Sequence, residues 1–566
     1  MLTHDCEVAE VRATATLAEA VVQILVQLGV RHAFGVSGGA MAAMWHALSS
    51  NDALAVRHFR HESGAAFAAV EAHFASDRPV VVFTTTGPGL TNALTGLLAA
   101  RGEGAKVIVL SAATTAAQRG RFAIQETCGR SMPAGLYAAG ALFHFATLLE
   151  CADELPAVAR RLAHGLSRPG GFVAHLAIPT ALQAAECRGA LPELSIARGE
   201  EAVAAETIAR CAALLSDGSF AIWLGFGARK ASALVRRLAE RTGAAVMCSP
   251  RAKGVFPEDH PQFVGVTGMG GHGSASTYMT EWRPRRILVL GTRLGEPTSF
   301  WNPVMVPSSG FIHVDVDPEV PGVAYPSAPT LAVRADVGLF LAALLEHLPA
   351  RVPTEVRFPR PLRLQPGPAS AGAVRPEALM LAIQEVVIDR HSAVVLAESG
   401  NSFAWASHGL RFNEAGRYRV STGVGSMGHA GAGVVGAALA AFGKAVAIVG
   451  DGAMLMNNEI NTAVKFDVPA VWIVLNDARY NMCEQGMATL GLSADASFPQ
   501  VDFAMLARAL GADGIRVERE AELVPALTRA MAASGPFVLD VRIDPKRRAP
   551  SQGRNRGLQL SFPETA

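Results

Sequence analysis

The stretch Gly450–Asp477, GDGAMLMNNEINTAVKFDVPAVWIVLND, constrains the fold of this chain more than any other. It follows the apolar run AVAIV (445–449) and closes on a second, AVWIVL (470–475), with a helix-compatible segment, NEINTAVKF, between them. Short continuous apolar runs bounded by glycine and polar residues are the pattern of strands buried on both faces of a parallel sheet. Two such strands with a helix between them make a β-α-β unit, whose right-handed crossover brings both strand ends to one edge of the sheet. The glycines at 450 and 452 let a ligand approach the backbone there. Asp451 and Asp477, one at each strand end, are placed to share a cation.

The same alternation recurs in three blocks. VRHAFGV, VVVFTTTGPG and KVIVLSAA are strand candidates in the first, FAIWLGFG, AAVMCSP, RILVLGTR and FIHVDVDP in the second, and AVVLAESGN, AVAIVGDG, AVWIVLND and PFVLDVRID in the third. At 566 residues the chain is long enough for about three domains. The reading is therefore three doubly wound α/β domains with central, mainly parallel sheets: 12–185, 200–350 and 377–545, with a Pro- and Arg-rich linker at 351–376 and a tail at 546–566. Fifty Lys and Arg balance 49 Asp and Glu, so no charge excess calls for nucleic acid or an anionic membrane as a partner. The seven cysteines lack CxxC spacing, which suggests neither a zinc site nor a disulfide framework and fits a reducing cytoplasm. No basic-then-apolar leader opens the sequence and no apolar run reaches about 18 residues, so a cytoplasmic location is expected.

Three further segments define the chemistry. RHESGAAFAAVEAHFASDRPVVVFTTTGPGLTNALTGL in the first block, together with the GDG…LND unit in the third, resembles the paired motifs of thiamine diphosphate enzymes of the acetohydroxyacid synthase and pyruvate decarboxylase family. FGVSGGAM, QET, GTRLGE, IHVDVDP and GSMGHAGAGVVGAA recur in that order and are most similar to acetohydroxyacid synthase. The resemblance implies thiamine diphosphate and Mg2+ as cofactors, with the ion bridging the diphosphate to Asp451, to Asp477 where the family usually has Asn, and to the backbone carbonyl of Arg479. Asn476 is a substitute ligand, and the other reading of Asp451 is a helix N-cap. Gly450, Gly452, Ala453, Tyr480, Asn481 and Met482 complete that cofactor surface. Gly400 and Asn401 match a diphosphate-binding strand end where the family usually carries Gln and His. Gly425 and Met427 match the backbone and the bulky side chain that hold the cofactor bent.

Glu62 is the implied activator of the cofactor, contacting N1′ of the aminopyrimidine so that its exocyclic nitrogen can take the proton from C2, with Pro88 and Asn92 as further contacts. A Glu at a helix start is also favourable to the helix dipole, which is the structural alternative. Gln125 and Gly39 match residues beside the reacting carbon, Ile124 stands where the family has an aromatic, and Arg293 matches an arginine that can face an acceptor carboxylate. The family lysine is missing near Ala138, and no histidine pair accompanies the QET segment. The expected activity is decarboxylation of a 2-keto acid followed by addition to a second carbonyl compound, in a roomy apolar pocket of a homodimer or homotetramer with active sites between subunits. The alternatives are a non-ligating decarboxylase or, from the turn WLGFGARKAS, a flavin- or nicotinamide-dependent oxidoreductase. FAD sometimes occupies this family's central domain without redox use.

Overall fold

The computed structural model describes residues 15–187, 191–195, 201–349, 357–365, 367–368, 372–550 and 552–561. Its frame is three six-stranded sheets in which every strand pairing is parallel. The first holds β1 (His32–Val36), β2 (Ala55–His58), β3 (Val80–Thr84), β4 (Lys106–Ala113), β5 (Phe145–Leu148) and β6 (Phe172–Pro179), in the order β2-β1-β3-β4-β6-β5. The second holds β7 (Phe220–Leu224), β8 (Ala245–Cys248), β9 (Phe263–Val266), β10 (Arg286–Leu290), β11 (Phe311–Asp315) and β12 (Thr330–Arg334), in the order β12-β11-β10-β7-β8-β9. The third holds β13 (Val394–Ala397), β14 (Tyr418–Val420), β15 (Ala445–Gly450), β16 (Ala470–Asn476), β17 (Asp513–Val517) and β18 (Phe537–Arg542), in the order β14-β13-β15-β16-β18-β17. The first and third sheets thus share one topology, and the central sheet has the order of dinucleotide folds.

Six helices position the site: α1 (Glu62–Ser76), α2 (Pro88–Glu103), α3 (Asn401–Gly409), α4 (His429–Ala441), α5 (Asp451–Met456) and α6 (Ile460–Lys465). The alanine- and glycine-rich α1 and α4 pack face to face and join the first sheet to the third. Small residues permit this: a Cβ on Gly436 would lie 2.0 Å from the carbonyl oxygen of Ala68. The indole N–H of fully buried Trp472 on β16 donates to the Gly431 carbonyl at 2.7 Å and ties α4 to its own sheet.

The expected NEINTAVKF helix is broken. α5 already begins at Asp451, the chain opens at Asn457–Glu459 with Glu459 at φ +51°, and α6 resumes at Ile460. The break lets Glu459 bond another domain, as described below. Residues 12–14 of the expected first domain, 351–356, 366 and 369–371 of the expected linker, and 551 and 562–566 of the expected tail lie outside the described residues. Within the linker, Arg363 reaches Asp259 of the central domain at 2.5 Å. Among the described residues no helix is long and apolar enough to cross a membrane.

Candidate active site

The carboxyl ends of β15 and β16 lie side by side, with Gly450 in register with Leu475. Gly450 is the cap of α5 and Asp451 its first residue, so Asp451 does not fill the N-cap role. Its carboxylate, 2 % exposed, accepts the N–H of Gly452 (2.7 Å) and reaches across to the N–H groups of Asp477 (3.0 Å) and Ala478 (2.6 Å). Burial and the neighbouring Asp477 push its carboxyl up to about 7. Asp477 is pushed up as well, mainly by burial, and accepts the amide of Asn481 at 2.5 Å. Two adjacent carboxyl groups whose ionisation burial opposes, one of them also raised by the other, are a place where a cation offsets the cost, and oxygen donors of this kind suit a hard divalent ion.

Asn476 is not part of this arrangement. Its amide donates to Asp540 (2.7 Å) and to the Val501 carbonyl (2.9 Å), which removes it as a substitute ligand. Alternation along β16 carried that signal, since successive side chains point to opposite faces. Around the pair, Gly452 leaves room for the Tyr480 ring, whose Cε1 would be 2.5 Å from an added Cβ, and Tyr480 packs at 5.2 Å on Phe498. Ala453 is buried, Met482 half-buried, and the Arg479 guanidinium bonds Glu484 at 3.1 Å.

Glu62 opens α1 and is 8 % exposed, so it is not a solvated dipole residue. Asn92 on α2 donates to its Oε2 at 3.2 Å, and Gly89 of the GPG turn is close enough that an added Cβ would be 3.6 Å from Oε1. Pro88 is the first residue of α2, behind Gly87 at φ +57°. Gln125, in the left-handed region at φ +54°, accepts the Thr86 hydroxyl at 3.2 Å, and its Cβ would lie 3.0 Å from a Cβ on Gly87. The structure therefore gathers Glu62, Asn92, Pro88 and Gln125 around one turn. Ile124 is 92 % exposed and Phe122 beside it 99 %, two large apolar side chains with no cover in the single chain. Gly39 opens onto empty space, whereas its neighbour Gly38 is the glycine that packing demands, with Thr85 Oγ1 2.5 Å from an added Cβ.

Gly400, at φ +111°, caps α3, and the amide oxygen of Asn401 is buried with no hydrogen-bond partner among the described residues. Gly425 is at φ +64°, its carbonyl held by Ser399 Oγ at 2.8 Å, and Met427 is half-buried two residues on. Arg293 donates to the Gly102 carbonyl at 2.6 Å, and Gly102 in turn lies against Gly423. That places Arg293 beside the loop leading to Gly425, not in a surface salt bridge.

Sequence reading missed the acids that hold these parts together. Glu459 accepts the N–H groups of Arg60 and His61 at 3.0 Å each, docking the turn before Glu62 onto the third domain, and Asn457 donates to Ser63 at 3.1 Å. Fully buried Glu398 accepts the N–H groups of Ala430 (3.0 Å) and Gly431 (3.1 Å) at the start of α4. An acid at a strand end, as in LAESGN, was the available signal for Glu398.

In the central domain, the turns after β7 and β10 flank the point where the strand order reverses. They touch backbone to backbone, with a Cβ on Gly225 only 2.0 Å from the Gly291 carbonyl oxygen, and Phe226 is buried beneath three guanidinium groups.

Two sheets of one topology, each presenting its polar residues at the carboxyl edge, define an enzyme that binds a cofactor at strand ends. Residues 15–132 match the N-terminal TPP binding domain of thiamine pyrophosphate enzymes, 208–344 their central domain and 398–541 their C-terminal TPP binding domain. The chain belongs to the thiamine pyrophosphate enzymes. Within them it is acetolactate synthase-like: it is 29% identical to acetolactate synthase of Mycobacterium bovis, over 93% of this chain and 87% of that one. To the large subunit of Escherichia coli acetolactate synthase isozyme 1 it is 28% identical, over 94% of both chains. The fold matches that of the thiamine diphosphate-dependent 4-hydroxybenzoylformate decarboxylase of Rhodococcus jostii RHA1, with a TM-score of 0.80 over 94% of this chain and 99% of that one at 21% identity.

Proposed function

We propose that this enzyme is a Mg2+-dependent carboligase that decarboxylates a 2-keto acid and joins the remaining fragment to a second carbonyl compound, giving an acyloin or a 2-hydroxy-3-keto acid product. The observation that carries this reading is the neutral amide of Gln125 at the turn that also holds Glu62, where a protonating side chain would end the reaction at the aldehyde. The relatives named acetolactate synthase support it. Bound thiamine diphosphate supplies a nucleophilic carbon and an electron sink for loss of carbon dioxide.

The chain's own residues do the rest. Asp451, Asp477 and the Arg479 carbonyl hold the magnesium ion. Two carboxylates and one carbonyl leave coordination positions that diphosphate oxygens and water would fill. Gly400 and Asn401 meet the diphosphate, and Gly425 and Met427 meet the pyrimidine. Glu62, buried and steadied by Asn92, exchanges a proton with N1′. Gly39 leaves the reacting carbon open to substrate, Ile124 lines the acceptor side and Arg293 orients a carboxylate. The proposal includes a dimer or tetramer in which Glu62 of one subunit would serve the cofactor that Asp451 of another holds, and the exposed Phe122 and Ile124 would be covered by the partner. The test is to incubate the loaded enzyme with a panel of 2-keto acids, with and without aldehyde acceptors, reading carbon dioxide release and product mass together. A ligated product is expected, and release of the simple aldehyde alone would overturn the reading.

A further inference from the structure

We propose that Glu103 and Arg251 are positioning residues for the loop Ser421–Met427, and that through them the central domain sets the shape of a site to which it sends no cofactor-binding residue. The inference rests on the reading above that Gly425 and Met427 face the cofactor.

Glu103 is the last residue of α2 and 5 % exposed. A carboxylate there is doubly disfavoured, by burial and by the negative end of the helix dipole, so its neighbours must offset both. They come from two other domains. One oxygen, Oε1, accepts the Ser421 hydroxyl (3.0 Å) and the N–H groups of Thr422 (2.8 Å) and Gly423 (2.6 Å). The other faces the Arg251 guanidinium of the central domain at 2.8 Å, as an ion pair. These contacts, with Arg251 the strongest of the favourable ones, hold the carboxyl below its ordinary range although burial opposes ionisation. Gly423 is fitted to this end of α2: a Cβ there would be 3.0 Å from Glu103 Oε1 and 3.1 Å from the Gly102 backbone.

Arg251 is itself immobilised. Its guanidinium lies 4.4 Å from the centre of the Phe226 ring, which Arg229 (4.3 Å) and Arg419 (4.4 Å) also contact. The loop is thus gripped at Ser421–Gly423 by Glu103 and at Gly425 by Ser399, leaving Val424 exposed between the two anchors. Gly425 and Met427 inherit their place from a carboxylate in the first domain that is aimed by an arginine in the second.

The experiment compares purified full-length variants for thiamine diphosphate affinity by calorimetry, kcat on a common 2-keto acid, and melting temperature. Glu103→Ala removes both contacts, while Glu103→Gln keeps an oxygen for the loop but turns an amide toward Arg251. Arg251→Met leaves Glu103 unaimed. Arg229→Met is the control, since it takes a guanidinium from the same stack without touching the loop. Expected are a cofactor affinity roughly tenfold or more weaker and a reduced kcat in Glu103→Ala and Arg251→Met, with partial recovery in Glu103→Gln, whereas Arg229→Met lowers the melting temperature and leaves affinity and kcat within about twofold. If Glu103→Ala does not fold, Glu103→Gln and Arg251→Met carry the comparison. Affinity and kcat that stay at wild-type values in these variants, or that change equally in Arg229→Met, would overturn the proposal. Met427→Ala, run alongside, separates the two levels: an unchanged Met427→Ala sinks the loop's assignment to the cofactor, and a loss there with none at Glu103 and Arg251 sinks the positioning role alone.

Discussion

The first and third sheets repeat one strand order, and their carboxyl edges carry opposite chemistry. After the first strand of each comes a glycine that faces empty space, Gly39 in one and Gly400 in the other. After the third strand each has a Gly-X-Gly turn that starts a helix, Gly87–Pro88–Gly89 in one and Gly450–Asp451–Gly452 in the other. The middle residue is a neutral ring in the first domain and a buried acid in the third. The first domain's own acid, Glu62, is placed after the second strand and bonded by a neutral amide, whereas Asp451 is set against another acid. Topology fixes where a side chain can act, and its neighbours decide whether it trades a proton or grips a cation. On the proposed function, the uncharged and charged ends of one cofactor would use the two halves.

The sharpest break in that comparison is Asp451→Ala. Removing the acid that joins the ends of β15 and β16 should abolish thiamine diphosphate binding and its magnesium dependence together. Calorimetric binding with unchanged magnesium dependence would remove the metal assignment. Next in size is Glu62→Gln, which keeps the shape and the bond from Asn92 but cannot exchange a proton. Cofactor should stay bound while turnover falls about 10²- to 10⁴-fold, the usual scale of a lost acid–base group. Hydrogen–deuterium exchange at C2 of the bound cofactor, quenched and read by NMR, reports the step directly, and a wild-type exchange rate would acquit Glu62.

Gly436→Val attacks the joint between the two sheets. The new side chain meets the Ala68 carbonyl, which is backbone and cannot turn aside, so α1 and α4 must separate at a cost of about 3 kcal/mol or more. A urea midpoint equal to wild type would show that the helices slide freely.

What the sequence disclosed divides along similar lines. Eleven strand candidates were legible as apolar runs, and all of them formed. The other seven were not: the six at the sheet edges, β2, β5, β9, β12, β14 and β17, and the inner strand β6, whose run FVAHLAIP is interrupted by His175. The edge strands are runs of only three to five residues, and all but β5 carry Arg, His, Asp or Gly, as in AVRH and DGIRV, so the apolar signal is lost. In the site, residues within motifs were legible because a turn or a strand end is a local pattern. Glu103 and Ser421 are 318 positions apart, and Glu71 and Arg419 are 348 apart, so no local pattern reports that they meet. Beside Gly39, Gly38 is the glycine that packing requires, a need that only the approach of Thr85 discloses.

The buried triad at the same joint gives a pH signature. Glu71 on α1 bonds Arg419 (3.1 Å) and His429 (2.9 Å) of the third domain. Burial opposes its ionisation, but Arg419 and His429 outweigh it and lower the carboxyl from 4.5 to about 2. Its contribution to stability is full above 4.5 and lost as pH falls toward about 2, on the order of 3 kcal/mol. His429 runs the other way: burial opposes its charging, but the bond to Glu71 and the charges of Glu71, Glu103 and Glu398 raise its pKa above 6.5. Its contribution is full below 6.5 and lost as pH rises through that raised value. Denaturation midpoints should therefore fall on both sides of the window from 4.5 to 6.5, and Glu71→Gln should flatten both slopes. An acid limb as steep in Glu71→Gln as in wild type would assign the loss to other carboxyl groups.

The smallest effect sharpens the comparison at its centre. Pro88 and Asp451 hold the same topological place, and if Asp451 is there for a ligand while Pro88 is there for the backbone, their replacements should separate cleanly. Pro88 is the first residue of α2, where no helical N–H is lost and its fixed φ suits the first turn. Pro88→Ala keeps that turn but frees the unfolded chain, which should cost only about 0.5–1 kcal/mol. Because Gly87, at φ +57°, already sets the direction of the chain into α2, Asn92 should stay within reach of Glu62 and cofactor affinity should change less than about threefold. Asp451→Ala, by contrast, should leave the apo protein at least as stable as wild type, since it removes a carboxyl whose ionisation burial and the neighbouring Asp477 both oppose. Melting temperature and cofactor affinity measured on both variants would show opposite rank orders. If Pro88→Ala instead lost cofactor as completely as Asp451→Ala, the proline would be a ligand-binding residue and the division between the two turns would fail.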